Sequence, residues 1–534
     1  MKRKLLLTVT AVLFLVLIQA YHVSGQVLNE NTFKFSTMLS LIEDHYVDSA
    51  DLNVLTEKAI VEVLHSLDPH STYISAKDVK EMNEPLAGNF EGIGIQFNLL
   101  HDSIVIIEPI KNGPSEKVGL RAGDRIVTID NEKVAGIKIT TTGVRKRLMG
   151  PKGTKVDVGI FRSGEKDSKS YTIIRDKIPI NSLDAAYMLN NETGYIKLNK
   201  FAATTEKEFL DGLMKFQGTS LKNLVIDLRG NPGGYMLAAV AIANQFLEGQ
   251  KLVVYMKGRK IPREEYKSTG RGILQKAKLV LLVDEGSASA SEILSGAMQD
   301  WDRGVLVGRR TFGKGLVQNG FYLTDGSQIR LTIARYYTPT GRSIQRSYKE
   351  GYDKYMESFI KRYSDGETQS ADSIHLPDSL KYSTLVNKRP VFGAGGLMPD
   401  VFVALDTSYY TEYYSNLVRK GIFNIFTLEY ADKNRKKLIA EYPSFDDYKA
   451  RFAFTQDDIK QFIRTGEDAG VKYDDKQFNV SKDEIIKLLR ALVATNLWQI
   501  NEYFRIINEG DPVIDKALKI LADKKEYNKL LGYR

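Results

Sequence analysis

The chain contains no cysteine. That excludes disulfides, a thiolate nucleophile, a Cys-ligated metal and a lipid-modified cysteine at a processing site. Histidine is scarce: there are six, at positions 22, 45, 65, 70, 101 and 375. None falls between 179 and 345, so a Ser-His-Asp triad in that stretch would have to import its histidine from elsewhere. His45, His65 and His70 lack a tight ligand spacing and read as surface or cap residues. A long basic stripe is also missing. The formal charge is +9, but Lys and Arg are interleaved with Asp and Glu, which argues against nucleic-acid binding.

What is present begins with an address. Lys2, Arg3 and Lys4 are the only charged residues before position 26, and the apolar run Leu5 to Ile18 follows them, then Ser24 and Gly25. This is the order of a secretory signal peptide. The run is short for a membrane span, which needs about 20 residues. Cleavage after Gly25 is expected, leaving Gln26 first; the alternative is an uncleaved signal anchor. The protein is therefore expected to be exported across the inner membrane, to the periplasm or cell envelope. At 534 residues, three or four domains are expected, and 43% hydrophobic with 26% charged residues is ordinary for a globular protein.

Residues 26–88 read as helical, with Phe35, Met38, Leu39, Ile42 and Tyr46 at helical spacing. Asp68-Pro69-His70-Ser71 interrupts them. Residues 89–178 read as mostly β, with strands at Ile93–Phe97, Ile104–Ile107, Arg125–Ile129 and Lys155–Phe161 and a helix near Thr141–Leu148. Residues 179–405 alternate buried-type strands (Leu224–Leu228, Leu279–Val283) with helices, which predicts an α/β core with parallel pairing. Asp325-Gly326 marks a hairpin. Residues 350–389 are polar and read as an insertion. From 406 to 534 the pattern is helical and charged, with Ile485, Leu488, Leu489 and Leu492 on one helical face. The fold class is thus α/β, in an α+β multidomain chain.

The chemistry concentrates in Ser287-Ala288-Ser289-Ala290-Ser291-Glu292-Ile293, between a buried strand and a helix start. Small side chains there let a substrate approach the backbone, and free N–H groups at the helix start favour a developing negative charge. A Ser-rich N-cap is the structural alternative. A nucleophilic serine needs a base, and with histidine absent from this stretch lysine is the candidate. Lysine must be neutral to serve, so it must be desolvated or lie near positive charge. Lys314, in Thr311-Phe312-Gly313-Lys314-Gly315, lies in a setting that could bury an amine, although its local sequence alone fits an ordinary loop lysine better.

Taken together, these segments resemble the carboxy-terminal processing peptidases, or tail-specific proteases. The motifs are Leu67-Asp68-Pro69-His70-Ser71, Gly92-Ile93-Gly94-Ile95, Gly119-Leu120-Arg121-Ala122-Gly123-Asp124, Asp227-Leu228-Arg229-Gly230-Asn231-Pro232-Gly233-Gly234, Ser287–Ile293, Thr311–Lys314 and Tyr337–Ile344. Their joint order makes the match specific, and it extends over essentially the whole mature chain. The resemblance implies Ser289 as nucleophile, Lys314 as general base, Gln318 as the residue orienting that lysine, and an acyl-enzyme. The oxyanion hole maps to the N–H groups of Ala290 and Gly233. A crotonase-like α/β peptidase core is implied, and no cofactor or metal.

Residues 89–178 resemble a PDZ domain. Gly92, Ile93, Gly94 and Ile95 occupy the place of the loop that binds a peptide C-terminus, with Ile93 and Ile95 flanking an apolar pocket. The partners implied are protein or peptide substrates with free apolar C-termini. Such a domain is expected to gate the active site, with Arg162 a candidate coupling residue. The stretch between Gln345 and Gly395 is longer than in simpler family members, and so is the helical region after it. Both are candidate surfaces for an adaptor or for self-association. Two other readings stay open on sequence alone: a non-proteolytic scaffold with a decayed site, and an acyl-CoA enzyme.

Overall fold

A computed structural model of the protein describes residues 30–100, 102–162 and 165–533. The expected signal peptide lies outside the described residues. The described residues divide into two compact units, split between Leu67 and Asp68. The first holds helices α1 (Glu30–His45) and α2 (Leu52–His65). Asp51 starts α2 by accepting from the N–H groups of Asn53 and Val54.

The second unit opens with a tight turn. Asp68 accepts from the N–H groups of His70 (2.8 Å) and Ser71 (2.9 Å) and from the Ser71 hydroxyl (2.7 Å). Strand β1 (Thr72–Ile74) and helix α3 (Val79–Ala87) follow.

Residues 89–179 form a β domain. Its strands are β2 (Asn89–Gly92), β3 (Ile95–Leu100), β4 (Ser103–Pro109), β5 (Arg125–Ile129), β6 (Glu132–Lys133), β7 (Lys155–Phe161), β8 (Lys169–Ile174) and β9 (Asp176–Pro179). Helices α4 (Pro114–Lys117) and α5 (Thr141–Leu148) complete it. Alternation sets the faces: in β7, Val156, Val158 and Ile160 point into the core and their neighbours outward. The sheet order is β3-β4-β5-β7-β8, so β3 is an edge strand.

The α/β core has strands β10 (Leu183–Met188), β11 (Thr193–Leu198) and β12 (Asn223–Asp227), with helices α6 (Thr205–Met214) and α7 (Met236–Asn244). After β13 (Leu252–Lys257) and β14 (Glu264–Lys267) come β15 (Lys278–Val283), α8 (Ala290–Asp300) and β16 (Val305–Gly308). The sheet order is β10-β11-β12-β15-β16-β21, where β21 is Val401–Phe402. All pairs from β11 onward are parallel. Strand β12 is buried at every residue, as parallel strands covered on both faces are. One face carries α6, α7 and α8, through Phe209, Ala239, Ile242, Ile293 and Leu294. A second sheet holds β1, β13, β14 and the long hairpin of β17 (Leu316–Tyr322) and β18 (Gln328–Tyr337).

Residues 350–389 are not featureless: helix α9 (Tyr352–Ser364) and strand β19 (Lys381–Ser383) lie there, and β19 pairs with β20 (Pro390–Phe392). The C-terminal region is all helical: α10 (Glu412–Arg419), α11 (Ile422–Glu441), α12 (Phe445–Arg451), α13 (Gln456–Asp468), α14 (Asp475–Leu497), α15 (Ile500–Ile507), α16 (Pro512–Ala522) and α17 (Lys524–Leu530). An aromatic core of Tyr413, Phe423, Phe426, Phe462 and Phe478 joins α10 to α14. The last helices serve a different purpose. Val513, Ile514, Ala517 and Ile520 of α16 cover the other face of the α/β sheet, against Val225, Val280, Leu282 and Val307. Residues 406–534 are therefore not one appendage, because their end completes the core. Among the described residues no helix is long and apolar enough to cross a membrane.

Candidate active site

The β15 strand ends at Val283 and helix α8 starts at Ala290. Three serines lie between or just after, and the structure separates them. Ser287 is fully buried and its hydroxyl donates to Leu228 O (2.8 Å). Ser291 is fully buried and its hydroxyl donates to Asn231 O (2.9 Å). Both hold the turn together. Ser289 is only partly buried and lines an open cleft of about 1160 Å³ together with Gly233, Gly234, Tyr235, Lys314 and Gln318. Its φ of 52° is uncommon for a residue with a side chain and belongs to a sharp strand-to-helix turn.

Glu292, three residues on, was not assigned a role from sequence, although Ser-x-x-Glu at a helix start is a capping-box signature. Its side chain is fully buried and organises both halves of the site. It accepts from Ser289 N–H (2.9 Å), the Thr311 hydroxyl (2.5 Å), Gly313 N–H (2.8 Å) and Lys314 N–H (2.9 Å). Burial pushes its carboxyl up to about 7, against the pull of those donors. Tyr336 makes a second tie: its hydroxyl meets Lys314 O (2.5 Å) and Ser289 O (3.1 Å). The serine turn and the lysine loop are thus fixed to each other through their backbones.

Lys314 is partly buried on the same cleft. Burial, and then the Arg330 guanidinium, push its amine below the usual lysine range; Glu292 and Asp68 oppose this. His70 lies beside it and is not a surface residue. Its ring nitrogen is 2.9 Å from the Tyr355 hydroxyl, and burial followed by the charge of Lys314 lowers its pKa to about 4. Gln318 donates through its amide nitrogen to the Thr332 hydroxyl (3.2 Å). Among the described residues no hydrogen bond joins Ser289 Oγ, Lys314 Nζ and Gln318 directly; they share one cleft.

The glycine turn abuts the serine. A Cβ on Gly233, whose φ is 95°, would lie 2.6 Å from Ala288 O and 2.7 Å from Ser289 Cβ. Only glycine fits there. Its N–H, expected to point at an oxyanion, instead donates to Asn231 Oδ1 (2.9 Å). The next residue differs. Gly234 bridges Phe201 through Gly233 O and Tyr235 N–H, and its own N–H takes no part in that bridge. Ala290, as the first helical residue, has an N–H without a helical acceptor.

In the β domain, Gly94 has φ 74° and a Cβ there would lie 2.8 Å from Ile178. Ile93 is 2% exposed and belongs to the domain core with Val144 and Leu148. Ile95 is partly buried on the edge strand β3. Arg162 chelates Asp124 (2.7 and 2.8 Å) and Gly119 O (3.1 Å), so its partners lie within its own domain.

Residues 192–351 match peptidase family S41, residues 92–172 match the PDZ domain, and residues 413–499 match a family of unknown function. The carboxy-terminal processing protease CtpA of Bacillus subtilis is 32% identical over 339 residues, 62% of this chain and 70% of that protein. CtpB of the same organism is 35% identical over 59% of this chain and 65% of its own length. The carboxy-terminal-processing protease of Bartonella bacilliformis is 35% identical, over 59% of this chain and 74% of its own. The likeness therefore stops short of the whole chain. On these matches the chain is a serine-type peptidase with a PDZ domain and belongs to the carboxy-terminal processing proteases of family S41.

Proposed function

We propose that this peptidase is exported and hydrolyses peptide bonds through an acyl-enzyme on Ser289, with Lys314 as the base and the PDZ domain selecting substrates by their C-termini. Neutral Lys314 takes the Ser289 hydroxyl proton as Oγ bonds to the scissile carbonyl carbon. The N–H groups of Ala290 and Gly234 hold the oxygen that becomes negative. The C–N bond then breaks and the leaving amine takes the proton from Lys314. Water repeats the cycle on the ester and frees Ser289. Gln318 accepts from a Lys314 N–H, so that the amine lone pair faces the serine. What supports this reading most is the meeting, in one cleft, of a serine on a strained turn with a lysine that burial has made a weaker acid-binder.

Export rests on Lys2–Lys4 and the apolar run behind them. Selection by C-terminus rests on the free edge of β3 beside Gly94. The serine series tests the core of the proposal. Ser289→Ala should abolish turnover of an unfolded protein substrate, while Ser287→Ala and Ser291→Ala keep activity at reduced stability, since Ser291 loses its bond to Asn231 O and Ser287 loses those to Leu228 O and from Asp284 N–H, at about 1 kcal/mol each. Cleavage by Ser289→Ala near the wild-type rate refutes it.

A further inference from the structure

We infer that Asp68 and Thr332 are positioning residues that set which end of the Gln318 amide faces Lys314; this rests on the Ser289–Lys314 reading above. A glutamine amide can be turned either way, and its two ends do opposite things to a neutral amine. A carbonyl accepts one of the amine's N–H groups and leaves the lone pair free. An NH2 donates to that lone pair and occupies the very electrons that must take the serine proton. Gln318 is useful only in the first orientation, so something must prevent the flip.

The structure holds a polar chain that does this. Asp68, 6% exposed, is ringed by donors: His70 N–H, Ser71 N–H and the Ser71 hydroxyl. All these bonds run toward the Asp68 oxygens, and the Thr332 hydroxyl, 3.0 Å from Asp68 Oδ1, spends its single proton there as well. What Thr332 then offers on its other side is a lone pair. Only the NH2 end of Gln318 can meet it, and the amide nitrogen does so at 3.2 Å. The carbonyl end is left for the cleft. A carboxylate in the turn before β1 thus dictates the polarity of an amide on β17, through a hydroxyl on β18. The Ser71 hydroxyl oxygen fixes the strand itself by accepting from Thr332 N–H (3.0 Å). The sequence Leu67-Asp68-Pro69-His70-Ser71, far from the catalytic segments in the chain, acquires a function at the active site.

Thr332→Val removes the hydroxyl and keeps the shape and the backbone N–H. Its kcat on a peptide substrate should fall about five- to tenfold, the worth of one hydrogen bond, with KM unchanged. Thr332→Ser, which restores the hydroxyl, should recover most of the loss. The decisive comparison is in the Gln318→Ala background, where Thr332→Val should cost less than about twofold, because there is no amide left to orient. If Thr332→Val is too unstable to assay, Thr332→Ala carries the same prediction. An equal loss in both backgrounds, or a wild-type rate for Thr332→Val, overturns the inference. A wild-type rate for Gln318→Ala alone instead strikes the role of Gln318 on which the inference stands.

Discussion

A lysine acts as a base only in the fraction of molecules in which it has lost its proton. Burial and Arg330 lower the Lys314 pKa, so that fraction is larger at any given pH than for a free lysine. The rate should therefore rise with pH and level off, with its midpoint below the usual lysine value of about 10.4. Lys314→Arg should be as inactive as Lys314→Ala from pH 5 to 10, because a guanidinium keeps its proton throughout. Robust turnover by Lys314→Arg would mean that the residue supplies charge and not basicity. The small residues around Ser289 mark a candidate segment in the sequence, whereas Lys314 and Gln318 stand out there only through the family resemblance; the structure places all three on one cleft. Glu292 was half legible, since the capping-box spacing to Ser289 is local but its hold on Thr311 and Gly313 crosses about twenty positions. Asp68 and His70 were misjudged or passed over. Their partners Thr332 and Tyr355 lie 264 and 285 residues away, a distance no periodicity spans.

At the scale of elements, the lysine loop is clamped by helix α9. Arg362, 4% exposed, donates to Thr311 O (2.9 Å) and Arg310 O (2.6 Å) and pairs with Glu367 (3.0 Å). Arg346 lies over the rings of Tyr355 (4.0 Å) and Phe312 (4.8 Å), joining the same helix to the same loop. Arg362→Ala should lower stability by about 3 kcal/mol, because the buried Thr311 carbonyl, the part-buried Arg310 carbonyl and the partly buried Glu367 carboxylate each lose a donor. It should also reduce kcat more than KM, and thermal unfolding with steady-state kinetics reads both. Unchanged kcat would make the clamp purely structural. Strand β7 and helix α5 were read to the residue because each buries a regular apolar face, Val156, Val158 and Ile160 in one and Val144 and Leu148 in the other; β5, whose buried Ile126 and Ile129 straddle a bulge, was read from its β-branched run. Strand β8 was missed, since its alternation is confined to Tyr171 and Ile173, of which only Ile173 is fully buried. Helix α9 shows little apolar face in the sequence, because one of its two buried residues is an arginine.

On the scale of the whole molecule, the C-terminal helices do two jobs that composition does not separate. α16 covers the α/β sheet. α11 meets the PDZ domain, where Asp432 pairs with Arg125 (3.1 Å) and Leu428 packs on Leu100 and Val105. The alternation of strand and helix made the α/β core legible, but nothing local in residues 512–530 says which sheet they will cover. If the PDZ domain selects substrates, a protein ending in apolar residues should be degraded several-fold faster than the same protein ending in Asp-Asp or in an amide. The amide loses the carboxylate contact, and the acidic tail loses apolar burial of about 25 cal/mol per Å². Equal rates for all three ends would remove the PDZ domain from selection. The central claim, that Ser289 carries the acyl group, is tested most directly by quenching the enzyme in acid during turnover of a slow ester substrate and weighing it. The account predicts a mass increase equal to the acyl group, mapped by fragmentation to Ser289 and missing from Ser289→Ala. An adduct on any other residue, or the same adduct in Ser289→Ala, would contradict it.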